Sequence, residues 1–183
     1  MDVGFRAGSW TLDDVFDLPE SDDRYEVIDG NLIVSPPPSP LHQFVGTTLL
    51  IQLAAAAPPE WVALYESYLG YPGGDARVPD LLVVRATALG RRIKAFPPAD
   101  LGLVVEIVSP SSRRTDRLAK PAEYADQCIP LMWRVELEPE VVVHPFRLVD
   151  GQWVTEQEIH DRGTVPVPWG RLDLDLSAIT ALS

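Results

Sequence analysis

Two acidic residues lie within apolar stretches of the chain, where carboxylates are uncommon. Asp80 lies in the stretch from Arg77 to Val84, and Glu106 lies in the stretch from Leu103 to Val108. Short runs of β-branched and aliphatic residues bounded by Gly, Pro and Ser are typical of buried strands. A carboxylate in such a strand loses its hydration unless a cation meets it, and a shared metal ion is the simplest partner.

A divalent metal between these two carboxylates would support hydrolysis. Enough chain separates Asp80 from Glu106 for a strand, a turn and a neighbouring strand, so both side chains can reach one edge of a sheet. Two bare carboxylates about 4 Å apart repel by roughly 4 kcal/mol at an effective dielectric near 20. Bound Mg²⁺ offsets that repulsion, activates a water and neutralises charge on a phosphodiester.

The surrounding residues form an incomplete PD-(D/E)xK nuclease motif. Pro79 precedes Asp80, and the position two residues after Glu106 holds Val108, where the motif has lysine. Alternate residues of a strand face the same way, so that lysine would stand beside the metal. Valine can neither stabilise developing charge nor accept a proton, and the motif therefore needs a replacement.

A helix predicted from Thr115 to about Cys128 offers this replacement. Arg117, Lys120 and Tyr124 are spaced three and four residues apart, so they share one helical face. A short turn at Ser109 to Ser112 separates the helix from Glu106, and Lys120 can reach back to the metal. Because Pro121 lacks an N–H, we expect the helix to kink there or to begin later.

The remaining elements follow from hydrophobic periodicity and turn residues. They are a short helix from Thr11 to near Pro19, a hairpin turning at Asp29-Gly30, a helix from Pro40 to about Ala57, strands at 61–71, 78–85 and 101–109, strands near 131–137, 141–148 and 152–159, and a capping tail at 163–183. The long helix is expected to pack on a sheet through Leu41, Phe44, Val45, Thr48, Leu49 and Gln52. This order predicts an α/β (α+β) fold.

Composition limits what the chain can be. Its 183 residues, 46% hydrophobic and 23% charged, predict one globular domain over 1–183, with a core at about 22–150 and an extension at about 151–183. The apolar stretch from Leu49 to Ala57 is too short to cross a bilayer, and no signal peptide is evident, so we expect a cytoplasmic location and no membrane partner. Cys128, the only cysteine, is interpreted as a buried structural residue.

The net charge of −12 argues against generic coating of nucleic acid. Local contact with phosphates is still possible, because basic residues cluster directly after the second acidic strand. The candidates for phosphate binding are Arg113, Arg114 and Arg117, and for Arg113 and Arg114 the competing interpretation is an ordinary solvated loop.

A longer set of residues extends the PD-(D/E)xK pattern. It comprises Tyr25 to Gly30, Ser35 to Pro40, His42, Val78 to Asp80, Val105 to Ser111, Asp116, Lys120, Tyr124, Pro130 and Trp133. In this order, and over roughly residues 10–150, the chain resembles the Uma2 family of predicted restriction endonucleases. The resemblance implies a restriction-endonuclease-like fold: a central mixed β-sheet flanked by helices, with an N-terminal β-hairpin and extra C-terminal strands.

The resemblance also implies metal-dependent cleavage of DNA, with Mg²⁺ or Mn²⁺ as cofactor, and a homodimer. In this interpretation Asp80, Glu106 and the backbone carbonyl of Ile107 bind the metal, and Lys120 is catalytic. Glu26, His42 and Tyr124 are secondary candidates. Strand alternation places Glu26 in solvent, whereas the resemblance brings it toward the metal site.

Two other functions fit the same residues. The first is a catalytically inactive dimeric module for binding or regulation, suggested by the acidic charge, by Val108 and by Pro121 beside Lys120. The second is an enzyme that keeps the metal site but acts on another phosphate-containing substrate.

Overall fold

The computed structural model describes residues 10–90, 92–109 and 113–181, which form a mixed α+β structure. Its helices and strands are α1 (Leu12–Phe16), β1 (Arg24–Ile28), β2 (Asn31–Ser35), α2 (Pro40–Ala56), β3 (Trp61–Tyr65), β4 (Leu69–Gly70), β5 (Ala76–Arg77), β6 (Leu81–Arg85), β7 (Leu101–Val108), α3 (Lys120–Asp126), β8 (Leu131–Glu136), β9 (Val142–Val149), β10 (Gln152–Thr155), β11 (Arg162–Val167), β12 (Gly170–Asp175) and α4 (Ser177–Thr180). The predicted fold class is confirmed. Most of the turn predicted at Ser109 to Ser112 lies outside the described residues.

A six-stranded mixed sheet carries the two acidic strands side by side. Its strand order is β10-β9-β8-β7-β6-β3, and β7 pairs antiparallel with β6 and parallel with β8. Every residue of β7 is buried. Leu81 pairs with Val105, so the register extended by one residue places Asp80 opposite Glu106.

A second sheet, with the order β2-β1-β5-β4, contains the predicted hairpin. Asp29 and Gly30 have φ angles of 50° and 68°, the left-handed pair that a tight two-residue turn requires. The hairpin brings Arg24 and Glu26 of β1 toward the residues around Asp80.

The long helix α2 begins at the predicted cap. The hydroxyl of Ser39 accepts a hydrogen bond from the N–H of His42, and Pro40 occupies the first turn. The predicted packing face is only partly right, because Leu41 and Phe44 are about 40% exposed. The buried residues are His42, Val45, Gly46, Leu49 and Leu53. A Cβ on Gly46 would lie 3.0 Å from the ring of Tyr65, so glycine permits the close approach that rotates this face inward.

The predicted helix from Thr115 is divided into two parts. One π-helical turn spans Thr115–Ala119 and ends where the N–H of Lys120 donates to the carbonyl of Thr115. The regular helix α3 then runs from Lys120, with Pro121 as its second residue. The backbone is already helical before Lys120, so the helix does not begin later as one of the two expectations had it, and a π-helical turn directly precedes Pro121 instead.

Cys128 is exposed, so its interpretation as a buried residue was wrong. It follows α3 with a φ angle of 57°, and this turn directs the next residue, Ile129, into the core while Cys128 faces outward. The C-terminal elements β11, β12 and α4 pack on the same core as α2, through Val165, Val167, Leu174, Leu176 and Ile179. Across the described residues, none of the helices has the length and apolar character needed to span a membrane.

Candidate active site

Asp80 lies directly before β6 and is almost fully buried. One carboxylate oxygen, Oδ1, accepts a hydrogen bond of 2.8 Å from Nη1 of Arg24. The other oxygen, Oδ2, accepts the backbone N–H of Ile107 at 2.6 Å and lies 3.3 Å from Nε2 of His42. The start of β1, the first turn of α2 and the end of β7 therefore converge on one carboxylate.

Glu106 is also buried, and two side chains from α3 hold it. Nζ of Lys120 lies 2.8 Å from Oε2, and the hydroxyl of Tyr124 donates to Oε1. Lys120 also lies 3.0 Å from Oδ1 of Asp116, four residues earlier, in an ion pair that lacks hydrogen-bond geometry. The structure thus places Lys120 beside Glu106, as predicted. Its side chain is only 3% exposed, although its position in the sequence is that of an ordinary helical lysine.

These contacts move the pKa values of the cluster in different directions. Burial alone would raise the pKa of Asp80, but the hydrogen bond and charge of His42, followed by Arg24 and Lys120, hold it below its usual range. Burial raises the pKa of Glu106 to about 8, against the attraction of Lys120 and with the help of Asp80 and Asp116. Burial opposes the charge of Lys120, yet Glu106 and the other carboxylates raise its pKa, so the ammonium stays protonated.

Glu26 is buried, so the interpretation of a solvent-facing residue was wrong. Its Oε1 accepts the N–H of Val78 at 3.0 Å, and its Oε2 lies 3.4 Å from Nη1 of Arg77. Arg77 in turn makes two hydrogen bonds to Glu123 of α3, at 2.8 and 2.6 Å. Both faces of β1 are covered here, which is why simple alternation failed.

Sequence reasoning assigned no role to three charged residues of this cluster: Arg24, Arg77 and Asp116. Arg77 and Asp116 are 2% exposed, and Arg24 contacts Asp80 directly. The spacing of four residues from Asp116 to Lys120 was an available signal. No local signal existed for Arg24, because its partner is 56 positions away.

The three candidate phosphate-binding arginines are exposed and lie beside the site on the segment that leads into α3. Arg113 pairs with Glu138, and Arg117 makes two hydrogen bonds to Glu136 at 2.9 and 2.8 Å. To bind a DNA phosphate, Arg113 would therefore have to release Glu138, and Arg117 would have to release Glu136.

A cavity of about 550 Å³ opens over the cluster. Its lining includes Arg24, His42, Asp116 and Lys120, and also the prolines that follow β2. Neither Asp80 nor Glu106 is among the residues that line the cavity.

The donor set fits a hard divalent cation. Asp80 and Glu106 supply carboxylate oxygens, and Mg²⁺ commonly takes only one or two carboxylates and completes its shell with water. In the part of the chain that the structure describes, no three His, Cys, Asp or Glu side chains are arranged to hold a metal ion. Each carboxylate instead carries a cationic partner, either Arg24 or Lys120.

Comparison with known proteins supports the fold and shows the family of this chain. A solved structure of a protein from Anabaena variabilis, titled a "putative nuclease", superposes with a TM-score of 0.70 and 22% identity. The match covers 93% of this chain and 97% of that protein, and it shows a shared fold. Among curated proteins, none matches this chain. The model of the Uma2 family, described as "Putative restriction endonuclease", matches residues 12–175, and the chain therefore belongs to the Uma2 family.

Proposed function

We propose that this protein is a metal-dependent endonuclease that hydrolyses DNA phosphodiester bonds with Mg²⁺ or Mn²⁺. The observation that carries the proposal is the ammonium of Lys120, 2.8 Å from Glu106. It supplies the cation that Val108 cannot supply from the strand. The description of the family supports DNA as the substrate.

Asp80 and Glu106, with the backbone carbonyl of Ile107, would hold the metal. When bound, such an ion polarises the phosphodiester and lowers the pKa of a bound water. Lys120 stabilises the negative charge that develops on the phosphate, and Asp116 orients it from its other side at 3.0 Å. Tyr124 fixes the carboxylate of Glu106 by donating its hydroxyl.

His42 supports Asp80, and Arg113, Arg114 and Arg117 meet flanking phosphates. His42 is buried with Nε2 toward Asp80, which suits orientation of that carboxylate. The arginines follow β7 on one exposed segment, which suits contact with a backbone that passes the site.

Nicking of supercoiled plasmid tests the proposal. The wild-type protein should nick with Mg²⁺ and stop when a chelator is added, whereas Asp80→Asn and Glu106→Gln should show no nicking. Glu156→Gln is the matched control, because Glu156 pairs with Arg147 and Arg171 at the surface. Equal nicking by all four proteins would refute the assignment of the two carboxylates.

The alternative is a catalytically inactive dimeric module for binding or regulation. It is favoured by one observation: all four carboxylate oxygens of Asp80 and Glu106 already have partners. Ligand binding to the folded state raises the melting temperature by mass action. A clear rise with Mg²⁺ in the wild type, absent from Asp80→Asn, supports the enzyme, and no rise in either protein supports the module.

We also propose a cytoplasmic homodimer, since cutting both strands of a duplex takes two such centres. One chain has a mass of 20.2 kDa, and sedimentation velocity should give about twice that mass. A monomer at every concentration would exclude the dimer.

A further inference from the structure

We propose that Arg24 is the internal counter-ion of the metal site, which neutralises Asp80 in the ion-free protein and leaves Asp80 when a divalent cation binds. This inference rests on the proposed function. Sequence reasoning did not place Arg24 in the site. In this proposal a divalent cation replaces the guanidinium of Arg24 at the carboxylate of Asp80 when the metal binds.

The first support is the contact itself. Nη1 of Arg24 lies 2.8 Å from Oδ1 of Asp80, and its other acceptor is the carbonyl of Val78 at 3.5 Å. The second oxygen of Asp80 accepts the N–H of Ile107. That N–H is fixed in β7, so the oxygen held by Arg24 is the one whose partner can move.

The second support is the route of access. Arg24 lines the cavity, together with Glu26, His42, Asp116 and Lys120, whereas Asp80 does not, so a cation that enters from the cavity meets the guanidinium of Arg24 before it contacts Asp80. Lys120 is enclosed between Glu106 and Asp116, at 2.8 and 3.0 Å. The side chain of Arg24 is 22% exposed and holds Asp80 through a single nitrogen, so Arg24 is the cation that can leave.

The third support is the unfavourable free energy of a buried, unpaired charge on Asp80. Asp80 is 2% exposed, and an ionised carboxylate at that depth requires a compensating charge. His42 contacts the same carboxylate at 3.3 Å, a longer contact than the 2.8 Å between Arg24 and Asp80. Arg24 therefore keeps the site folded and ionised before the metal arrives, and it competes with the metal afterwards.

Isothermal titration of Mn²⁺ into full-length protein at fixed pH tests this competition. Arg24→Gln should lower the dissociation constant by about ten-fold, the size expected when one charge-assisted hydrogen bond no longer has to be broken. Arg147→Gln is the matched control, since it removes the same charge from an exposed pair with Glu156. The dissociation constant of the control should stay within about two-fold of the wild-type value.

The outcomes separate the inference from the function on which it rests. Wild-type binding with no tightening in Arg24→Gln overturns the role of Arg24 and leaves the metal site intact. Tightening by the same factor in both variants shows a general effect of charge and also overturns it. An absence of Mn²⁺ binding in all three proteins overturns the metal site and the inference together.

A measurement on the wild type covers the case in which Arg24→Gln does not fold. Crystals soaked in Mn²⁺ should show an anomalous peak at Asp80, with the guanidinium of Arg24 no longer within hydrogen-bond distance of Oδ1. A peak at Asp80 with the contact of 2.8 Å unchanged would overturn the exchange.

Discussion

At the level of single residues, Glu106 is expected to couple metal binding to pH. Its pKa is raised to about 8, first by burial and then by the neighbouring carboxylates against the attraction of Lys120. A carboxyl must lose its proton to bind a cation. The affinity for Mg²⁺ should therefore rise as the pH increases toward that value and level off above it. Calorimetry in buffers of different ionisation enthalpy should show about one proton released per ion below the pKa.

Asp80 should add nothing to this dependence, because its pKa is held below the ordinary value and it is ionised throughout. Glu106→Gln should consequently bind metal more weakly, with no variation across neutral pH, while Glu156→Gln should behave as the wild type does. A wild-type affinity that is equal at slightly acidic and slightly alkaline pH would contradict the prediction.

Lys120 is expected to act on the reaction rather than on metal binding. Replacing it by methionine keeps the length of the side chain and removes the ammonium that lies 2.8 Å from Glu106. Cleavage should fall by about 100- to 1,000-fold, the usual effect of removing one group that stabilises a transition state. Because Lys120 also favours the ionised form of Glu106, the dissociation constant for Mn²⁺ is compared well above the pKa of Glu106, where it should stay equal or decrease since a competing cation is gone. Weaker metal binding together with unchanged cleavage would exclude this role.

The sequence indicated some of these residues and could not indicate others. A carboxylate inside an apolar strand is conspicuous, so Asp80 and Glu106 could be singled out, and helical spacing brought Lys120 within reach. Arg24 has no such signal, since its partner becomes a neighbour only when the hairpin folds against β6. Glu26 was misplaced because alternation assumes that one face of the strand is open to solvent. The roles of all these residues in catalysis stay predictions.

At the level of elements, the position of α3 depends on its tether to β5. The guanidinium of Arg77 makes two hydrogen bonds to Glu123, so the helix that carries Lys120 is tied to the smaller sheet. Glu123→Gln should lower the free energy of unfolding by about 1 to 3 kcal/mol, because a buried arginine loses a charged partner. Urea denaturation measures this change.

The control for the tether is Glu138→Gln. Glu138 pairs with Arg113, but both side chains are about half exposed or more, so the loss should stay below about 0.5 kcal/mol. Equal losses in the two variants would show that the contact with Arg77 is no more important than a surface ion pair.

Local signals predicted most of the elements well. The Asp29-Gly30 turn and the Ser39 cap depend on neighbouring residues, and both were recognised from the sequence. The inward face of α2 and the π-helical turn before Lys120 were not, because each depends on tertiary packing. Gly46 illustrates this, since its closeness to Tyr65 appears only after the helix has docked on the sheet.

At the level of the whole molecule, a net charge of −12 limits how this protein can meet DNA. Most of its surface repels a phosphate backbone, so attraction must come from a few local cations and from the metal. Arg113, Arg114 and Arg117 are the candidates beside the site. Duplex binding should therefore show a shallow salt dependence, with a slope in log K against log salt of no more than about 3.

Arg114 provides the sharpest test of this view. It is exposed on the segment that leads into α3, whereas Arg113 and Arg117 are each paired with a glutamate. On a Lys120→Met background that keeps the DNA intact, Arg114→Gln should reduce the salt slope by about 1 and weaken binding to all sequences alike. Arg171→Gln changes the net charge equally but removes a pair with Glu156, so its slope should stay unchanged. Fluorescence anisotropy titrations measure both slopes. If the slope of log K against log salt falls by the same amount in both variants, the overall charge of the molecule governs binding, and the arginines after β7 have no specific part in it.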